Sequence, residues 1–208
     1  VPGNVRTRYA RRPETFEATL YIRDQLAAVL GPEAVSLQEF RITDDDSLMY
    51  NVIGDLPGTD PDAGHYIICA HYDAIGSRTR GGWDWRTDPA PGADDNGSGT
   101  VTLLELAAWL AEQRRKYPHK FKRGIIFCWW TGEEIGLLGS AQYAKNPLIP
   151  FSQVTSYINL DMVGRMKDNK LIIQGMGTSS VWKKLIEKRN VAGGFSLKLQ
   201  DDPYQPTD

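Results

Sequence analysis

The chain has 208 residues, enough for one sizeable domain and too few to expect two. Its formal charge of −2 gives no reason to expect nucleic acid or an anionic membrane as a partner. No apolar run approaches the roughly 20 residues that cross a bilayer, since the longest, Gly124 to Trp130, is of strand length.

Pro13 to Leu30 has helical spacing, with Phe16, Leu20, Leu26 and Leu30 among its apolar positions, and Gly31-Pro32 ends the run. Val35 to Ile42 and Leu48 to Ile53 read as two strands joined by the acidic turn Thr43–Asp46, whose carboxylates are expected in solvent. Tyr66 to Ala70 is a short apolar strand. Tyr72 to Asn96 is a loop rich in Gly, Pro and Trp, and a loop of that length is usually functional. Trp83 and Trp85 read as anchors within it. Ser98 to Arg115 is a helix with Leu103, Leu104, Leu106, Ala107 and Leu110 on its apolar face. Ile125 to Trp130 is a buried strand, Leu137 to Lys145 a helix, Val154 to Leu160 and Lys170 to Gln174 strands, and Ser179 to Asn190 a helix ended by Gly193-Gly194. Cys69 and Cys128 lie inside apolar runs and read as buried thiols.

After the opening hairpin the order is strand, helix, strand, helix. It predicts an α/β fold, with a mixed, mostly parallel central sheet and helices on both faces, in a single domain over residues 1–208. In such sheets, functional groups gather beyond the carboxyl ends of the strands. His71 and Asp73 follow the strand at Tyr66–Ala70, Glu133 and Glu134 follow Ile125–Trp130, and Asp161 follows Val154–Leu160. Asp94 and Asp95 end the long loop, just before a helix. One edge of the sheet therefore collects an imidazole and several carboxylates.

Carboxylates within a few ångströms repel, and some would stay protonated unless a divalent cation were present. An imidazole mixed with carboxylates suits zinc, cobalt or manganese. Asp73 lies two residues beyond His71, so on extended backbone the two side chains point the same way. Its carboxylate could accept the other ring N–H of His71 and fix the tautomer. The pair Glu133-Glu134 admits a division of labour, in which one carboxylate binds metal and the other takes a proton from the attacking water. One ring of Trp129-Trp130 is expected in the core and the other behind the metal site.

Four segments occur in order: HYD at 71–73, PGADDNGSG at 91–99, TGEEIGLLGS at 131–140 and NLDMVGR at 159–165. Together they resemble the co-catalytic zinc aminopeptidases, metallopeptidase family 28, from about Phe16 to the last residue. The resemblance implies a zinc-exopeptidase-like fold and removal of N-terminal amino acids from peptides. It implies His71, Asp95, Glu134 and Asp161 as metal ligands, with Asp95 bridging two ions, Glu133 as general base and Asp73 as the partner of His71 in the catalytic set. Asp94 receives no role.

The family's fifth ligand is a second histidine from a later loop, preceded by a tyrosine. Neither remaining histidine suits it, because His65 and His119 stand at the far ends of their elements. The expectation is therefore a chain truncated at its C-terminus, two zinc ions in the full-length protein and one or none in this chain. Asp201-Asp202 are read as surface, or as near the pocket, and Arg165 as surface, or as the partner of a nearby carboxylate. The resemblance also carries an expectation of export, to a secreted or periplasmic location, and of peptides as substrates. Glutaminyl-cyclase-like acyl transfer is the first alternative, and an inactive binding relative of the same fold the second.

Overall fold

A computed structural model describes residues 7–43, 48–77, 86–87, 89–204 and 206–208. The acidic residues Asp44–Asp46 and the tryptophans Trp83 and Trp85 lie outside them. The chain divides into two compact units, one running to Val163 and including Asp208, the other Gly164–Thr207.

In chain order the first unit holds α1 (Thr15–Leu30), β1 (Val35–Phe40), β2 (Met49–Leu56), β3 (His65–His71), β4 (Gly76–Ser77), β5 (Pro89–Ala90), α2 (Gly99–Lys116), β6 (Gly124–Trp130), α3 (Leu138–Lys145) and β7 (Val154–Asn159). Five strands form one sheet in the order β1-β2-β6-β3-β7. β1 with β2 and β2 with β6 are antiparallel; β3 pairs in parallel with both β6 and β7. The sheet is mixed, as expected, with its parallel half carrying the long-loop and glutamate segments.

Both faces of this sheet are covered, which is why β6 reads as an unbroken apolar run. Ile125, Phe127 and Trp129 face one core with Val52, Ile68 and Ala70, under Ala18, Ile22 and Leu26 of α1 and Leu103 and Ala107 of α2. Ile126, Cys128 and Trp130 face the other with Ile53, Ile67 and Cys69, covered by Tyr143 of α3. Both indoles are therefore fully buried, on opposite faces of the sheet. Both cysteines are buried free thiols.

The buried stripe of α1 is Thr15, Ala18, Thr19, Ile22 and Leu26, not the stripe through Phe16 and Leu20. Small residues let the helix lie close on β2, while Phe16 packs at the rim against Tyr50, ring centroids 4.8 Å apart. On α2 the buried positions Gly99, Leu103, Ala107 and Ala111 recur every four residues. The long loop is not wholly irregular: β4 and β5 form a two-residue ladder at its ends.

The second unit is a strand–helix–strand: β8 (Lys170–Ile173), α4 (Trp182–Gly193) and β9 (Ser196–Leu199), with β8 and β9 parallel. α4 begins three residues later than the expected Ser179, because Met176–Thr178 form a separate tight turn and Ser179 is extended. No helix among the described residues is long and apolar enough to cross a membrane.

Leu26 is fully buried between α1 and the sheet. Leu26→Ala should cost about 2–5 kcal/mol, read as a lower urea midpoint at unchanged slope.

Candidate metal centre

β3 ends at His71, and its side chain and that of Asp73 are almost completely enclosed, at 1% and 0% exposure. Extended backbone turns both to the same side, and Nδ1 of His71 stands 3.5 Å from Oδ1 of Asp73. The Asp73 carboxylate also accepts the backbone N–H groups of Glu133 (3.2 Å) and Glu134 (3.3 Å). One buried carboxylate therefore faces the imidazole, without a hydrogen bond to Nδ1, and holds the loop that carries both glutamates.

That loop has a second support that the sequence reading missed. Asn51 of β2 is fully buried; its Oδ1 accepts the N–H of Thr131 (3.3 Å) and its amide donates to the carbonyl of Gly139 (2.9 Å). Both ends of the TGEEIGLLG segment are thereby pinned to the sheet. A Cβ at position 139 would stand 2.4 Å from the Asn51 oxygen, so glycine is required for that approach. A polar residue inside a strand flanked by apolar ones was the available signal.

Asp95 is delivered differently. Ala93–Ser98 form a helical turn broken at Asp95 (φ −106°, ψ 95°) and Asn96 (φ −125°, ψ 48°), which throws the Asp95 side chain off the axis of α2. The turn starts from Gly92 in the left-handed region (φ 64°), where a Cβ would meet the Asp95 carbonyl at 2.3 Å. The buried Asn96 donates to the Leu160 carbonyl (2.8 Å) and accepts from the N–H groups of Gly99 (2.9 Å) and Met162 (3.3 Å). It thus ties the Asp95 turn to the residues on either side of Asp161.

The result is convergence on one nitrogen. Nε2 of His71 lies 3.2 Å from Oδ1 of Asp95, 3.4 Å from Oδ1 of Asp161 and 3.9 Å from Oε2 of Glu133. None of these contacts has hydrogen-bond geometry, and both ring nitrogens of His71 are buried without a hydrogen-bond partner. An imidazole nitrogen and carboxylate oxygens arranged around a common point, rather than donor to acceptor, fit a bound cation. One ligand atom from each of His71, Asp95 and Asp161 lies within 4.8 Å of the other two. Glu133 and Glu134 stand outside this trio. His65 opens β3, about 20 Å from His71 by strand rise, and His119 follows the far end of α2. Arg165, Asp201 and Asp202 are exposed residues of the second unit.

The profile of peptidase family M28 matches residues 51–207. The chain belongs to peptidase family M28. It is 30% identical over 162 residues to leucine aminopeptidase 1 of Trichophyton equinum, covering 77% of this chain and 42% of that protein. The chain thus spans less than half the length of the curated relatives it matches. In fold it is similar to the LapA aminopeptidase of Legionella pneumophila (TM-score 0.71, 21% identity, 98% of this chain and 53% of that one). It is also similar in fold to the glutaminyl cyclase of Porphyromonas gingivalis (TM-score 0.69, 22% identity, 96% of this chain and 73% of that one).

In this M28 chain three groups of the cluster, His71, Glu133 and Glu134, hold their protons more tightly than usual. Burial opposes charge on His71, but Asp161, Asp73 and Asp95 outweigh it and push its pKa up to about 12. Burial, then Asp95, Asp73 and Glu133, push Glu134 up to about 7. Glu133 is raised by burial, with His71 acting against Asp73, Asp161 and Asp95. Both shifts have one sign for stability. The favourable contribution of His71 is complete below its ordinary 6.5 and is lost as pH climbs toward 12. That of protonated Glu134 is lost as pH climbs from its ordinary 4.5 to about 7.

The metal-free chain should therefore lose stability between pH 5 and 8, read as a falling Tm in chelator. A divalent ion should recover more of the Tm at pH 8 than at pH 5, because protons and metal compete for the same groups. Asp73→Asn keeps the shape but loses a charge and one acceptor, and should weaken metal binding about 10–100-fold by calorimetry.

Proposed function

We propose that the chain carries the zinc centre of a peptidase that removes amino acids from peptide N-termini. The observation that carries the reading is the His71 Nε2 surrounded by Asp95, Asp161 and Glu133, with no hydrogen bond of its own. His71, Asp95 and Asp161 would hold one zinc; Asp95 and Glu134 would contribute to a second. Bound there, zinc supplies a Lewis acid to the scissile carbonyl and lowers the pKa of water.

The remaining chemistry belongs to the side chains. Glu133 stands closer to the centre than a solvated glutamate would need to, at 3.9 Å from the imidazole and only partly exposed. Its raised proton affinity suits a base that must take a proton from water and release it to the leaving amine. Asp73 keeps His71 oriented and holds the backbone of Glu133 in place.

Glu133→Ala should lower release of leucine from leucyl peptides by about 10²–10⁴-fold while zinc per chain stays at the wild-type value. Loss of zinc instead would make Glu133 a ligand. The same preparation assayed on a peptide with N-terminal glutamine separates hydrolysis from cyclisation. Zinc binding with cyclisation and no leucine release would move the chain to glutaminyl-cyclase chemistry, and zinc binding with neither would make it a binding relative.

A further inference from the structure

Arg8 lies far from every motif in the sequence, yet it is wired to two of them. Its backbone carbonyl accepts the N–H of Ala74 at 3.1 Å, which lays this segment along the residues that follow β3. Its Nε donates to the Tyr72 carbonyl at 2.7 Å, Nη1 to the Pro91 carbonyl and Nη2 to the Gly92 carbonyl, both at 2.8 Å. Tyr72 sits between His71 and Asp73, while Pro91 and Gly92 open the turn that delivers Asp95. The Gly92 carbonyl also accepts the N–H of Gly97 at 2.9 Å, closing that turn around Asp95. The guanidinium is therefore a direct link between the backbone carrying His71 and the backbone carrying Asp95, beside the Thr100 hydroxyl, which donates to the His71 carbonyl at 2.9 Å.

We propose that Arg8 is a positioning residue of the metal centre: its planar fork sets the distance between His71 and Asp95 by holding the carbonyls of Tyr72, Pro91 and Gly92. The proposal rests on the reading of this cluster as a metal site. The fork, and not the charge, is what matters. A positive charge beside the centre repels a cation, so charge alone would make its removal strengthen binding. Arg8 sits in the field of Asp73, Asp95 and Glu134, but its three hydrogen bonds go to carbonyls that need donors at fixed angles. Lysine keeps the charge and offers one point in place of a fork. The two substitutions Arg8→Lys and Arg8→Met therefore separate the effects.

The test uses cobalt(II) as the probe, titrated into the metal-stripped chain and its variants by absorption, with amide hydrogen exchange measured on the metal-free proteins. Both variants should bind cobalt at least about tenfold more weakly, with lysine failing to rescue. Exchange at Gly97 should accelerate about tenfold or more while Phe127 in β6 keeps its protection. Wild-type cobalt affinity or tighter in Arg8→Lys would overturn the proposal. So would unchanged Gly97 exchange, or Gly97 and Phe127 losing protection together, which would make Arg8 a general stabiliser. If the wild-type chain binds no cobalt, the metal reading falls, and the exchange data alone decide whether Arg8 holds the turn.

Discussion

Like charges cannot be gathered at one point without a counter-charge, and this constraint shapes the first unit. Asp73, Asp95, Asp161 and Glu133 all approach the ring of His71, which is itself withdrawn from water. Metal-free, the cluster meets the requirement by keeping protons: His71 and Glu134 both hold them well above their ordinary range. A divalent cation meets it better, since it satisfies several oxygens and the ring nitrogen together. The same cluster thus concentrates charge that a cation could balance.

Holding such a cluster demands rigid delivery, and the fold supplies it through backbone rather than through bulk. Strand β3 brings His71 and Asp73 to the sheet edge on one side of the chain, and Asp73 then fixes the two glutamate amides. Asn51 pins the ends of the glutamate loop, Asn96 joins the Asp95 turn to the Asp161 segment, and Arg8 joins that turn to the end of β3. These side chains spend their hydrogen-bonding capacity on main-chain groups of neighbouring segments. Buried polar groups that are fully partnered in this way specify one arrangement and resist alternatives.

Membership of peptidase family M28 was legible because its four motifs keep their order, three at strand ends and one at a helix start. The candidate ligands His71, Asp95 and Asp161 were legible for the same reason: chemistry at a sheet edge leaves polar residues at the boundaries of apolar runs. Less legible were the supports. Nothing local marks Arg8 as different from its neighbours Arg6, Arg11 and Arg12. Its partners lie 64 to 84 residues away, so only folding brings them within reach. The α1 register was only half legible: Leu26 and Leu30 reach the core, but Phe16 stays at the rim and close approach to β2 also selected Ala18, Thr19 and Ile22.

By itself the sequence determined the alternation of strands and helices, the apolar continuity of β6 and which groups are candidates to bind a cation. Those properties are carried by side-chain chemistry and short-range periodicity, which neighbours in the chain express directly. Tertiary structure decided which carboxylates meet, with His71, Asp95 and Asp161 in one trio and Glu133 beside it. It also put Trp129 and Trp130 on opposite faces of one strand, both buried. Distances between segments dozens of residues apart depend on packing and on backbone hydrogen bonds, and those exist only once the sheet has closed.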